Sequence, residues 1–322
     1  MFAATVTSIS ADDPLAGLTL GEVPDPLARD GWVEVEVKAA ALNHHDLWSL
    51  RGVGLRPDRL PMVLGTDGAG IDEEGREVVV HSVIASPDWT GDETLDPRRT
   101  LLSEKFDGTL AERVAVPRRN VVPKPPELSF EEAACLPSAW LTAYRMLFTM
   151  ARPDPGSTLL VQGTHGGMSG ALISLAQAAG LEVWATATSE QGIEAGRRLG
   201  AHAVFDRGAR LPRQVETVAD NIGADTWAHS IRSLKPGGTL VTCGATSGHQ
   251  PGAELRHVFF RQLRIIGATM GTRHELERLL ALVAHTGLRP EIEATYDLSD
   301  AHRAFGRLLA GGVNGKLVLR TS

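Results

Sequence analysis

Apolar and polar positions change rhythm twice along the chain. Up to about residue 123 the pattern is one of short strands: Trp32-Val-Glu-Val-Glu-Val-Lys38 alternates strictly, as a strand buried on one face does, and 75–84 carries a denser apolar run that predicts a more buried strand. Residues 86–108 are polar and broken by Pro-Asp, Gly-Asp and Asp-Pro steps, which predicts a surface excursion. From 124 to 269 the texture is strand–helix alternation. Ser129-Phe-Glu-Glu132 has the capping-box form that opens a helix, a second helix covers 139–150, and Arg152-Pro-Asp-Pro-Gly156 ends it. Apolar runs follow at 159–161, 181–185, 203–205, 215–219, 239–243 and 263–268, with helical stretches such as 170–179 and 226–234 between them. Six short strands joined by crossovers predict a parallel, doubly wound sheet. Residues 270–322 are mixed again: Thr272-Arg-His-Glu275 opens a helix that stops at Gly287, Ser299 caps another to about 310, and 316–320 is a strand.

The strongest local signal is Leu159-Leu-Val-Gln-Gly-Thr-His-Gly-Gly-Met-Ser-Gly-Ala-Leu-Ile173, a strand running through a glycine-rich turn into a helix. Glycines let the backbone approach a pyrophosphate, whose charge is stabilised by free N–H groups at the helix start. Against the pattern G-x-G-x-x-G, Thr164-His-Gly-Gly-Met-Ser169 keeps the middle glycine, Gly166, with Thr164 and Ser169 at the other two places. His165, Gly167 and Met168 complete the turn, and His165 either touches phosphate or is solvated there. About 20 residues on, units that bind NAD carry an acid for the ribose 2′-OH. Here the stretch reads Ala185-Thr-Ala-Thr-Ser189, with no carboxylate before Glu190. Neutral Thr188 and Ser189 do not repel a 2′-phosphate, which favours NADPH over NADH. Arg207 either reaches that phosphate or is a solvated surface arginine, and Thr188 with Gln191 also reads as a capping box.

Composition narrows the partners. The 322 residues, 43% hydrophobic and 22% charged, suffice for two cores. A net charge of −7 with scattered Lys and Arg argues against a nucleic-acid partner. No apolar run of roughly 18 residues suggests a membrane span, and the N-terminus lacks the basic and apolar regions of a secretion signal, so a cytoplasmic enzyme acting on a small molecule is expected. The two cysteines, Cys135 and Cys243, have no Cys or His at metal-ligand spacing and read as two buried thiols.

Ala40-Ala-Leu-Asn-His-His-Asp46, Pro61-Met-Val-Leu-Gly-Thr-Asp-Gly-Ala-Gly70, Gly108-Thr-Leu-Ala-Glu-Arg-Val-Ala-Val-Pro117, Leu141-Thr-Ala-Tyr144, Lys235-Pro-Gly-Gly238 and Gly315-Lys-Leu-Val-Leu319 follow one another in an order that resembles the medium-chain dehydrogenase/reductase superfamily, in its quinone oxidoreductase-like branch. The resemblance implies an α/β fold: a Rossmann domain (124–269) inserted in a GroES-like β-rich catalytic domain (1–123 and 270–322), with the active site in the cleft between. Many members have a zinc-binding cysteine where this chain has Asn43 and a zinc-binding histidine where it has Thr66. The four-cysteine structural zinc lobe would fall at 86–108, which has no cysteine. Both zinc sites are therefore expected to be absent. Without a Lewis acid an unactivated alcohol is a poor hydride donor, so the expected acceptor is an electrophile: a quinone or an α,β-unsaturated carbonyl. The rival readings are a metal-dependent alcohol or carbonyl dehydrogenase and a non-catalytic NADPH-binding module.

Within that resemblance Asn43 is the group that polarises a carbonyl or orients the cofactor. Asp46 either caps the turn at 47–51 or takes part in the chemistry. His44 and His45 are candidate proton donors that point in different directions, and Thr66 lines the cleft, with Asp67 in a glycine-flanked turn. Thr142 resembles a cofactor contact near the nicotinamide, Gly244-Ala245-Thr246-Ser247 a cradle for its ribose, and Asn314 with Lys316 a C-terminal cofactor contact. Trp48 is a pocket wall or core packing. A homodimer or homotetramer is expected, with 263–268 as the contact strand.

Overall fold

The computed structural model describes residues 1–27 and 29–321. Strands β1 (Phe2–Val6), β2 (Leu18–Glu22), β3 (Trp32–Ala41), β4 (Met62–Val63), β5 (Asp67–Asp72), β6 (Glu77–Val80), β7 (Val83–Ile84), β8 (Thr100–Leu101), β9 (Arg113–Pro117) and β10 (Val121–Pro123) occupy the first part of the chain, with helix α1 (His44–Leu50) between β3 and β4. The alternation read in 32–38 is realised in β3, whose Val33, Val35 and Val37 are buried while Glu36 faces solvent. The expected strand at 75–84 is broken after Val80. Asn120 donates its side-chain amide to the carbonyls of His81 and Val83, both at 2.7 Å, and His81 Nε2 meets the carbonyl of Gly271 at 2.9 Å. Those contacts turn the chain before β7.

The polar stretch at 86–108 is closed by carboxylates. Asp96 accepts from the backbone N–H groups of Ser86 (2.6 Å) and Arg98 (2.8 Å), and Asp92 caps a short turn through Thr94. Helix α2 (Phe130–Ala134) has the capping box expected of Ser129 and Glu132. It continues through a π-helical stretch (Leu136–Trp140), α3 (Leu141–Tyr144) and a second π-helical stretch (Arg145–Ala151). Two compact units divide within this helical run, at Leu141/Thr142, rather than at 123/124: helix α2 packs on β3 and β5 and so belongs with the first strands.

The unit Thr142–Thr269 holds β11 (Thr158–Val161), α4 (Gly166–Ala178), β12 (Glu182–Ala187), α5 (Glu190–Arg198), β13 (Ala203–Asp206), β14 (Val215–Asp220), α6 (Ala224–Ser233), β15 (Leu234–Thr242), α7 (Leu255–Phe260) and β16 (Arg264–Gly267). Its six strands form a wholly parallel sheet in the order β13-β12-β11-β14-β15-β16, the doubly wound arrangement that the sequence rhythm predicts. Each strand is flanked by apolar residues such as Leu160, Val218, Ile231 and Leu240, which make its core.

The C-terminal segment returns to the first unit. Helix α8 (Arg273–Thr286) starts with the capping box of Thr272 and Glu275 and stops at Gly287, whose φ of 73° suits glycine. Strand β17 (Ile292–Asp297), helix α9 (Ala301–Leu309) and strand β18 (Lys316–Arg320) follow, and β18 pairs antiparallel with β3 through Val318↔Ala41. The larger sheet thus runs β10-β6-β5-β3-β18-β17, with β9 also on β3. Phe305 from α9 is fully buried against the same core as Val35, Leu50 and Leu110. Truncating it removes a large apolar side chain and leaves a cavity. Phe305→Ala is expected to destabilise this unit by about 3–5 kcal/mol, read as faster amide exchange in β3 and β18 with β11–β15 unchanged. Equal acceleration in both units would show that the C-terminal helix does not belong to the first core alone.

Candidate functional site

Strands β3, β5 and β18 bring three polar side chains together in the first unit. Asn43 lies two residues past the end of β3, Asp67 opens β5 and Lys316 opens β18. The Lys316 ammonium lies 3.0 Å from Asp67 Oδ2, and both side chains are withdrawn from water, at 4% and 0% exposure. It also donates to the carbonyl of Leu42 (2.9 Å) and to Asn43 Oδ1 (2.7 Å). All three of its hydrogens are thereby spent, so the cofactor contact that the resemblance implies for Lys316 is not available to that side chain. Asp67 is not a turn residue but the buried counter-ion of Lys316. Sequence reading missed it because its partner lies 249 residues away.

Asn43 is the hub. Its Nδ2 donates to Asp67 Oδ2 at 2.8 Å and lies 3.2 Å from Thr66 Oγ1, and Thr66 Oγ1 lies 3.2 Å from Ser138 Oγ. The amide orientation is unambiguous: Oδ1 faces an ammonium, which only donates, and Nδ2 faces a carboxylate, which only accepts. Asn43 therefore holds Thr66 and Asp67 in place instead of presenting a free amide to a carbonyl. Asp46 closes the start of α1: its Oδ2 accepts from the Asn43 backbone N–H at 2.8 Å, the capping alternative of the two readings. Burial pushes its carboxyl up to about 6, against the opposing pull of His45 and the Asn43 N–H.

The two histidines diverge as expected. His45 Nε2 meets Glu104 Oε1 at 3.2 Å. Burial works against its charged form, but the Glu104 hydrogen bond and the charges of Asp46, Glu104 and Asp67 together raise its pKa. His44 lies 6.5 Å, ring to ring, from Trp48, which is half-buried beside it. Desolvation by surrounding atoms, then the charges of Lys316 and Arg51, lowers the His44 pKa even though part of the ring reaches solvent.

In the second unit the glycine-rich turn has a different register from the one read in sequence. Gly163, at φ 93°, makes the turn after β11, and its N–H donates to Thr186 Oγ1 at 3.1 Å. Gly166 has φ 80°, and a Cβ there would meet no protein atom within 4 Å. That open space, with Gly166, Gly167 and Met168 half-exposed at the start of the 13-residue α4, fits a pyrophosphate on the N–H groups of a helix start, and half-exposed His165 lies beside it. Thr164, by contrast, turns inward: a Cβ on Gly196 of α5 would lie 2.7 Å from Thr164 Cγ2, so the helix needs glycine there to pack over it. Ser189, not Thr188, caps α5 by accepting from Gly192 N–H at 3.1 Å. Arg207 is exposed just beyond β13, and the pairing of β12 with β13 sets Asp206 opposite Ala187, an acid that the sequence rhythm did not connect with this place.

Gly244, Ala245 and Ser247 lie in the loop after β15. Ser247 Oγ donates to the Ile222 carbonyl (2.9 Å) and accepts from Asp225 N–H (3.0 Å), which ties that loop to the start of α6. Asn221 Oδ1, in the adjoining loop, is buried without a protein donor. Thr142 is buried in the helical run at 141–144, and Asn314 lies in the turn before β18, its N–H on Glu293 at 2.6 Å. The sites expected to hold the dinucleotide thus divide: the 163–168, 189, 207 and 244–247 groups lie at the C-terminal ends of one parallel sheet, whereas Asn314 and Lys316 belong to the first unit. Cys135 and Cys243 are both thiols that burial pushes up to about 12.

Two family models match the chain: an alcohol dehydrogenase GroES-like domain over residues 29–126 and a zinc-binding dehydrogenase over 167–285. An acryloyl-coenzyme A reductase from Metallosphaera sedula is 30% identical over 326 residues, 95% of this chain and 97% of its own. The chain belongs to the medium-chain dehydrogenase/reductase superfamily. A crotonyl-CoA reductase from Streptomyces collinus is 27% identical, covering 91% of this chain and 79% of its own. A solved NAD-dependent alcohol dehydrogenase is 33% identical with a TM-score of 0.92, covering 100% of both chains. This member of the superfamily is an oxidoreductase with an α/β Rossmann sheet and a GroES-like domain. Among the described residues no helix is long and apolar enough to cross a membrane.

The buried ion pair makes a direct test possible. Lys316→Met leaves the Asp67 carboxylate buried and unpaired, and is expected to cost about 3–5 kcal/mol. Lys316→Met combined with Asp67→Asn should lose clearly less than the sum of the single changes in urea unfolding. Additive losses would mean that the two charges do not depend on each other.

Proposed function

We propose that this protein is a zinc-independent, NADPH-dependent reductase of α,β-unsaturated carbonyl compounds. The observation that carries the proposal is the Lys316 ammonium, 2.7 Å from Asn43 Oδ1. Asn43 and Thr66 stand where the resemblance places zinc ligands, yet the donors here are an amide and two hydroxyls already bonded to one another, with a fixed cation beside them. A zinc site needs three or four unprotonated N, S or O ligands turned toward one point, and a buried ammonium repels a second cation at that point. The residues do not fit the metal.

Without a Lewis acid the substrate must bring its own electrophilicity, which an alkene conjugated to a carbonyl does and an unactivated alcohol does not. Relatives named as acryloyl- and crotonyl-CoA reductases support an enoyl acceptor, of which a quinone is an electronic analogue. The dinucleotide would be held by the 163–168 turn, Ser189 and the 244–247 loop; when bound, its nicotinamide supplies the hydride. The chain's part is to position the acceptor and place donors on its oxygen. Neutral Thr188 and Ser189, with exposed Arg207, support NADPH. Asp206 and the 33% identical NAD-dependent alcohol dehydrogenase favour NADH as the second reading. Strand β16 is a sheet edge beside exposed Phe259 (63%) and Phe260 (70%), which supports its pairing with a second copy as the dimer contact.

A panel of enoyl thioesters, cyclic enones, quinones and primary alcohols, followed by nicotinamide absorbance with each coenzyme, tests this reading. Conjugated carbonyls should be reduced with NADPH at least about tenfold more efficiently than with NADH, a difference of about 1.4 kcal/mol. Alcohol oxidation with NAD as the dominant activity would overturn it.

A further inference from the structure

We infer that Ser138 is the terminal hydrogen-bond donor of the Lys316–Asn43–Thr66 chain and, resting on the reductase reading above, the group that binds the substrate's carbonyl oxygen. Hydrogen-bond direction fixes which group is terminal. Lys316 has only hydrogens to give, and one goes to Asn43 Oδ1. Asn43 Nδ2 in turn has only hydrogens to give, and lies 3.2 Å from Thr66 Oγ1. Thr66 cannot return its own hydrogen to that nitrogen. The hydroxyl within its reach is Ser138 Oγ at 3.2 Å, and Thr66 itself is 1% exposed, so a hydrogen not given to Ser138 would be buried without an acceptor. A hydroxyl that accepts one bond also donates a stronger one. Ser138 Oγ therefore accepts from Thr66, and its own O–H is the hydrogen left over.

The place of Ser138 agrees with that role. It lies on the π-helical stretch Leu136–Trp140, a local widening of the helix that often marks a functional position. At 8% exposure it is the more accessible of the two hydroxyls in the pair, so the chain leads from a buried lysine paired with Asp67 to a hydroxyl at the edge of the protein interior. Neither Thr66 nor Lys316 can serve in its stead, since the hydrogens of both are already committed. In the reaction the hydride adds to the β-carbon, the alkene electron pair moves toward the carbonyl, and negative charge collects on its oxygen. Ser138 donates to that oxygen and keeps its hydrogen throughout. The proton that completes the product reaches the α-carbon from water.

Ser138→Ala and Ser138→Thr test the assignment. The first readout uses a chromophoric cinnamaldehyde, bound without coenzyme, whose absorption moves to the red when its carbonyl oxygen is hydrogen-bonded. The second is kcat/KM for an enone at saturating NADPH, with NADPH affinity as a control. The wild type should show the red shift. Ser138→Ala should lose it and about 10- to 100-fold of kcat/KM with NADPH affinity unchanged, and Ser138→Thr, which keeps a hydroxyl, should restore both. A red shift that persists in Ser138→Ala, or none in the wild type, overturns the assignment. A wild type that shows the shift but reduces no conjugated carbonyl overturns the reductase reading and leaves the donor in place.

Discussion

A lysine and an aspartate paired 3.0 Å apart inside the protein are the constraint on which the rest of this site depends. Removing two charges from water is costly, and their mutual attraction repays it only when the remaining hydrogens and lone pairs are also used. Lys316 meets that condition in full through Leu42 and Asn43, and Asp67 in part, since its Oδ2 also accepts from Asn43 while its Oδ1 has no protein donor. Because the pair joins β18 to β5, and Asn43 lies just past β3, one electrostatic requirement fixes three strand ends from distant parts of the chain. The amide of Asn43 then has one possible orientation, and the hydroxyls beyond it inherit a direction.

That direction is what links packing to chemistry. A metal centre would activate a carbonyl by withdrawing charge directly. In the mechanism proposed here a fixed positive charge would act through an amide and two hydroxyls, each weaker than a metal but held in place before the substrate arrives. Such an arrangement suits an acceptor that is already electron-poor. The buried Asp46 carboxyl and the His45–Glu104 pair lie outside the chain of donors and serve to hold α1, which carries Asn43 at its start.

Much of the fold was legible because its signals are local. The alternation of 32–38, the six apolar runs of the parallel sheet and the capping boxes at Ser129 and Thr272 each specify an element from a few neighbouring residues. The break at His81 was not, since it needs Asn120 and Gly271. In the turn after β11 the sequence pattern was started at Thr164, whereas the backbone turns one residue earlier, at Gly163, and a positive φ there is not visible in residue type. The site itself was legible in part. Asn43 and Thr66 stood out by resemblance, whereas Asp67 looked like a turn residue and Ser138, just ahead of the helix read over 139–150, drew no reading at all. Their roles come from Lys316, and pairing across 249 residues leaves no mark on local sequence.

The central claim is that a protein ammonium, not a metal, organises this centre. Metal analysis of the purified protein, made beside an assay of enone reduction before and after exhaustive treatment with a chelator, tests it most directly. The account predicts active protein without stoichiometric zinc and turnover unaffected by the chelator. One zinc per chain, whose removal abolishes turnover and whose return restores it, would contradict the account.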